Sequence, residues 1–569
     1  MGLVSSHHKA VTVTLSAHSL GLEAQRRTES AMKPTDAQNE QHHKDDAAHL
    51  NRLGYPQELK RVLGFFDNFS VAFSYLSPMV GVYSLFVLGV GAAGPSYIWL
   101  MVPVVGFMLL VALVFGELAS HYPIAGALYQ YGKRNVGPGY GWWVGWIYGL
   151  ALLVTVASVD TGVIPYLAAL INNLLGTKID PTSHGVILFI TIAFIGVQTM
   201  LNSVGAKVMG IVARLGVYVE TIGTFGVAIA LAVVGFHHGF DFLFSSHGAE
   251  NLHTNPLGVD FGGNWLFGAA LVAILAHSYI FYGFESAGDI SEETKQASKV
   301  VPRAMRGALL YGGIASFVLV AALLLATPSS SKGYDSAISF AGGIPVILAE
   351  LPAWAQNLFL LVICVAFFSC GTAVQGAGSR LIYSYARDKA LPASNWIRKV
   401  SPRFNTPTNA LLIAGIIPIL FSLLVTVQPS AKNIQILWFQ YPAGINPLTA
   451  LVSFGVSGIY LSFLLTVIGS MIAHTRGWKP MGAFKLGRWY WPVAIVGAAY
   501  LAAMLVNIVI PTGLNSPRGA LFNFDWITLV VMVVLLLIGG IYFVIARPDR
   551  RAPNVAEIQP VGQEAQVTE

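Results

Sequence analysis

Charge is scarce in this chain. Asp, Glu, Lys and Arg make up 11% of its 569 residues against 55% for the hydrophobic types, and the mean hydropathy is +0.63. A soluble fold needs more polar surface than that, so the composition is that of a polytopic membrane protein. Cysteine is scarcer still. Cys364 and Cys370 lie in a single apolar run, on different faces of a helix, which excludes a disulfide framework and a thiolate metal site. No Walker loop is present to drive an ATP-fuelled pump. No apolar run carries a nucleophile with its base, or a His and Glu ligand set, so the sequence does not read as an enzyme. The net charge of +6 follows the placement of loops along the chain and is no nucleic-acid signal.

Long apolar runs are what the chain has instead. Twelve reach the length of about 20 residues that crosses a bilayer, near 69–91, 98–119, 142–170, 184–203, 208–235, 264–288, 306–326, 354–378, 410–427, 447–473, 490–510 and 526–546. Basic residues collect in alternate loops, as the cytoplasmic side requires. Lys133, Arg134, Lys207, Lys295, Lys299, Arg303, Arg387 and Arg476 fall on one side, whereas Lys178, Lys332, Lys432 and Arg518 stand singly in four opposite loops. The pattern predicts both termini in the cytoplasm. Residues 1–60 are polar, hold no signal-like run, and read as a disordered tail in which His7, His8, His42, His43 and His49 need no role. His237, His238, His247 and His253 in an outer loop fit no zinc template.

Two spans are interrupted where lipid cannot satisfy a freed backbone group. The sixth runs YIFYGFESAGD from Tyr279, broken by Gly283, Gly288, Glu285 and Asp289. The first contains Ser77, Pro78 and Gly81, and proline removes an amide donor in mid-membrane. Spans one and six are five crossings apart, an odd number, so the second set of five enters from the opposite side. Interrupted segments at matching positions of two inverted halves point to a transporter's substrate site.

Several ordered motifs then carry a family resemblance: GELASHYPIAGALYQYGKRNVGPGYGWWVGW from Gly116, the Asn202, Gly205 and Lys207 pattern, GFESAGDISEETKQASKVVPRAM from Gly283, SRLIYSYARDKALP from Ser379 and TPTNALL from Thr406. From about Leu53 to Arg547 the chain resembles the amino acid, polyamine and organocation (APC) superfamily of secondary transporters. Its opening is most similar to the amino acid and choline transporter branch. The resemblance implies an all-α membrane fold of 12 helices, a five-plus-five inverted repeat with discontinuous helices 1 and 6. The expected organisation is a tail at 1–60, a transport core at 61–473 with repeats 61–235 and 264–473, two outer helices within 474–547, and a C-terminal tail at 548–569.

The substrate then lies between the breaks. A half-helix starting near Val80 offers amides to a carboxylate, assigned to the backbone of Val80, Gly81 and Val82. A half-helix ending near Tyr282 offers carbonyls to an ammonium group, assigned to Tyr279, Tyr282 and Gly283. The resemblance makes Tyr279 an aromatic gate, Glu285 a gating or proton-coupling carboxylate, and Val156 a substrate-facing position. Asp160, one turn beyond Val156, either favours a cationic group or meets water at the span's outer end. An idle intramembrane charge is improbable at about 2.5 kcal/mol or more. Glu220 stands where several sodium-independent members carry a lysine. It could titrate, pair with Arg214, or face a cation site with Ser369 and Thr372. His277 is another candidate proton carrier. Proton coupling, sodium coupling and exchange are all compatible with these residues, and no cofactor or resident metal is called for. The function read from this is a secondary active permease, in the plasma (inner) membrane, for an amino acid or related amine such as 4-aminobutyrate. The alternatives are a choline or polyamine carrier, an amino acid exchanger, or a sensor that binds without transporting. Its partners are the small-molecule substrate and the bilayer, with no nucleic acid.

Overall fold

The computed structural model describes residues 45–247, 265–338, 342–426, 434–436, 439–441, 447–509 and 527–551. The chain divides into two units, Met1–His49 and Leu50–Glu569. Of the first, residues 45–49 are described and are helical. His7, His8, His42, His43, His253, Lys432 and Arg518 lie outside the described residues. Among the described residues the regular structure of the second unit is helical apart from one antiparallel hairpin, β1 (Ile434–Ile436) and β2 (Phe439–Tyr441), which pairs Ile434 with Tyr441.

The first interrupted span is α1 (Phe65–Leu76) followed by α2 (Pro78–Ala93). Then come α3 (Met101–His121), the short α4 (Ala127–Asn135), α5 (Pro138–Gly162) continued by α6 (Ile164–Leu175), α7 (His184–Ser203) and α8 (Ala206–Val234). The second interrupted span is α9 (Ala270–Ile280) with the one-turn α10 (Ser286–Asp289). The remaining long helices are α11 (Ala297–Leu325), α12 (Ala353–Arg387), α13 (Thr408–Thr426), α14 (Pro447–Thr475), α15 (Tyr490–Val509) and α16 (Ile527–Ala546). Among the described residues ten helices are long and apolar enough to cross a membrane, and two shorter apolar ones lie at Ala270–Ile280 and Thr408–Leu423. Each lies on an apolar run read from the sequence.

Packing separates an inner set from an outer one. The span formed by α1 and α2 buries nearly all of its surface, and α2 lies along α9 while α1 lies against α8 and α11. By contrast α16, at mean hydropathy 3.0, buries almost none of its apolar window within the chain. A helix apolar all round with so little protein cover has lipid as its solvent.

The expected tail boundary at residue 60 is too late. Leu50, Leu53, Tyr55 and Leu59 are buried, and Tyr55 donates its hydroxyl to Asp388 at 2.8 Å. The stretch leading into α1 is therefore packed structure, because its few apolar residues find cover that polar neighbours hide in the sequence. It belongs to a dense ionic layer at one end of the bundle. Arg380 grips Glu293 through two bonds of 3.0 and 2.9 Å, and Arg387 grips Glu292 at 3.0 and 2.8 Å. Lys133 reaches Asp388 at 2.7 Å, and Arg61 donates to the carbonyls of Ser291 and Thr294. Burial pulls the Lys133 ammonium below its usual range, and Asp388 opposes that pull. Such buried pairs hold geometry more than they add net stability. Here they tie the segment after α10 to the end of α12.

Candidate functional site

The first break is written into Ser77-Pro78. A residue before proline is pushed out of the right-handed helical region, and Ser77 has φ 38. Proline then suits the first position of the next helix, where a missing amide costs nothing, and serine suits the cap before it. Ser77 N–H closes α1 on the carbonyl of Phe73 at 2.7 Å, and the Ser77 hydroxyl oxygen accepts from Val80 N–H at 3.2 Å.

The second break has a different chemistry. Phe281 N–H ends α9 on His277 O, and Gly283 takes φ 101, a conformation open chiefly to glycine. The Glu285 carboxylate turns back to accept from Gly283 N–H at 2.8 Å, and Ser286 bonds Gly283 O at 2.7 Å. Glu285 thus satisfies the opened backbone, as lipid could not.

The two breaks touch. A methyl group built on Gly283 would stand 2.9 Å from Leu76 N and 2.9 Å from the Tyr75 ring, and one on Gly81 would overlap the Ile280 side chain. Above this crossing, Tyr282 meets Tyr75 edge-on at 5.9 Å and Tyr279 edge-on at 5.7 Å. Tyr279 is buried and shares a 3.2 Å hydrogen bond with Ser158 of α5. Val156 is buried on the same helix.

Glu220 reaches the first break from α8. Its Oε1 accepts from Met79 N–H at 3.0 Å and from the Ser77 hydroxyl in a short bond. Arg214 does not pair with it, but with Asp67 at 2.9 Å. The expectation that Val80, Gly81 and Val82 present free amides is corrected here. The helix begins at Pro78, Val80 N–H is held by Ser77 Oγ, Gly81 N–H by Ser77 O at 3.0 Å, and Val82 sits inside the helix. The helix α9 ends at Ile280, two residues short of Tyr282 and near the expected end.

Asp160 is fully buried, which corrects the alternative that it meets water. Gln198 Nε2 donates to its Oδ1 at 2.7 Å, and the carboxylate lies against Gly371 of α12. Of the supposed cation site, Ser369 Oγ donates to Ser74 at 3.2 Å, close to Gly216 of α8, whereas Thr372 Oγ1 bonds Phe368 O within its own helix. His277 points away from the break, its Nε2 against Tyr97 O at 3.0 Å and its ring stacked on Tyr97.

Two residues missed as partners complete the sixth span. The Tyr148 hydroxyl lies 2.7 Å from Asp289 Oδ2 and 3.3 Å from Glu285 Oε1. The two carboxylates share the one proton of that hydroxyl, with the shorter bond to Asp289. Asp289 was legible, four residues after Glu285 and so on its helical face. Tyr148, 137 residues from Glu285, had no local signal.

Comparisons with known proteins place these features in context. A family model described as amino acid permease matches residues 63–546. The chain is 26% identical to the amino-acid permease BAT1 of Arabidopsis thaliana, over 81% of this chain and 88% of that one. It is 25% identical to the GABA-specific permease of Saccharomyces cerevisiae, over 87% and 83%, and 25% identical to the thiamine transporter thi9 of Schizosaccharomyces pombe, over 81% and 79%. Among solved structures, the Eremococcus coleocola manganese transporter superposes with a TM-score of 0.52 at 14% identity, covering 86% of this chain and 94% of that one. That likeness speaks to the fold alone.

Proposed function

This chain belongs to the amino acid permease family, and on that premise we propose that it moves an amino acid or related amine across the cytoplasmic membrane by alternating access. The observation that carries this reading is the crossing of two broken spans at Gly283 and Leu76, ringed by buried Glu220, Glu285 and Asp160. Broken helices meeting in mid-membrane with ionisable groups around them mark transport sites. The relatives named for GABA and thiamine are in keeping with an amine as cargo.

The reading extends to topology. With α9 and α13 counted as crossings beside the ten longer helices, the chain has twelve, in two inverted sets of five with α15 and α16 outside. The broken spans stand first and sixth in that order. Alternating basic loops put both termini in the cytoplasm. The ionic layer of Arg380, Glu293, Arg387, Glu292, Lys133 and Asp388 shares the side of those loops, so it is the closed inner gate. Inward opening has to part the segment after α10 from the end of α12. Tyr279 closes the other side over the crossing. Coupling to a proton would use Glu285, Tyr148 and Asp289, since a proton gained or lost there remakes bonds at the break itself.

The test is uptake into proteoliposomes of radiolabelled amino acids, 4-aminobutyrate, polyamines and choline, with imposed proton or sodium gradients. Saturable, gradient-driven accumulation is expected. Current without saturation would make the chain a channel, and binding without uptake a sensor.

A further inference from the structure

We propose that Glu220 is a built-in carboxylate filling the place at the first break that a substrate carboxylate would take, so that the site selects ammonium compounds lacking one. This rests on the transporter reading above and narrows its substrate class.

A helix start leaves its first amides without partners inside the helix. At α2 every one is accounted for by the chain itself. Ser77 N–H is spent on Phe73 O, Pro78 has no N–H, Met79 N–H is held by Glu220 Oε1, and Val80 N–H by Ser77 Oγ. No donor is left over for an incoming acid, and a second carboxylate there would meet the first at close range. What the site lacks is a cation. Glu220 Oε2 and Asp160 Oδ2 are both buried acceptors with no hydrogen-bond partner among the described residues, and neither carboxylate has an ion-pair partner there. Both border the same turn of α12: Asp160 lies against Gly371, and Glu220 holds Ser77 and Met79 just beyond Ser74 and Tyr75, which bond Ser369 and Cys370. An ammonium group supplies the charge and the donors that these oxygens need.

The experiment compares matched pairs that differ in a carboxylate: lysine with cadaverine, 4-aminobutyrate with propylamine, and glycine betaine with choline. Each is radiolabelled and offered to the full chain in proteoliposomes. The carboxylate-free member is expected to be taken up with a KM lower by roughly tenfold or more, the value of one charge-assisted hydrogen bond. Glu220→Ala is expected to erase or invert that preference, because Met79 N–H and Ser77 become free to bind the acid, and added formate should restore it. Glu220→Gln keeps an acceptor for Met79 N–H without the charge, so it should fold as the parent while losing amine affinity. Preferential uptake of the carboxylate-bearing members by the unaltered chain overturns this proposal and leaves the transporter reading intact. Equal loss of both members in Glu220→Ala, unrelieved by formate, overturns it as well. Uptake of no member of any pair overturns both.

Discussion

Replacing Gly283 by Ala strikes the crossing of the two breaks where it has least room. The new methyl would stand 2.9 Å from Leu76 N and 2.9 Å from Tyr75 Cγ, a backbone atom and a ring root that cannot swing aside, on a backbone with φ 101. The unfavourable backbone costs about 1–3 kcal/mol and the overpacking about 1–3 kcal/mol, roughly 2–6 kcal/mol together. A typical fold has only about 5–15 kcal/mol to lose. Gly81→Ala has no such backbone strain and meets chiefly the Ile280 side chain, so only the packing cost of about 1–3 kcal/mol applies. Gly196 has nothing within 4 Å and sits in a helix, so Gly196→Ala should be neutral or stabilise by about 0.5–1 kcal/mol. Cys364 and Cys370 are both buried, so a thiol-reactive fluorogenic dye reads unfolding of the purified chain in detergent. The expected order of melting midpoints is Gly196→Ala at or above the parent, then Gly81→Ala, then Gly283→Ala. Ile280→Ala combined with Gly81→Ala should melt above the additive sum of the two single changes. A Gly283→Ala protein that melts with the parent refutes the contact.

Arg380→Ala should lower stability by about 3–5 kcal/mol by stranding Glu293, whereas Arg380→Met with Glu293→Leu should cost less than either single truncation, both read in the same melt. Tyr148→Phe removes the hydroxyl shared by Glu285 and Asp289 and is expected to abolish proton-driven accumulation while leaving counterflow exchange, a split that uptake with and without a pH gradient resolves. Asp160→Asn should shift selectivity from cationic toward neutral substrates. Unchanged selectivity across the uptake panel would remove Asp160 from the site.

Hydropathy located the helices well because lipid punishes any unsatisfied backbone group, and α7 has the very limits that its apolar run predicts, 184–203. The breaks were visible too, as proline, glycine and charge inside apolar runs. Their details were less so. Ser77-Pro78 carries the cap chemistry locally, yet the eye goes to Pro78 and Gly81, and the helix start was placed two residues late. The packed stretch before α1 was hidden by its polar neighbours, since the partner that holds Tyr55 is 333 residues away. Arg214 and Glu220 stand six residues apart and so on different helix faces, and Arg214 pairs instead with Asp67, which nothing local named.

The sequence by itself determined that this chain lives in a bilayer, where its spans run, that two of them break, and that carboxylates accompany the breaks. Each of these follows from what lipid will not solvate. Only the tertiary structure decided who satisfies the broken ends. A freed amide donates to any well-placed oxygen, so Gly283 could use its neighbour Glu285, two residues on, but Met79 donates to Glu220 from 141 residues away. That choice turns the first break from a place for a substrate's acid into one already filled, because a helix start holds few donors and the fold has used them.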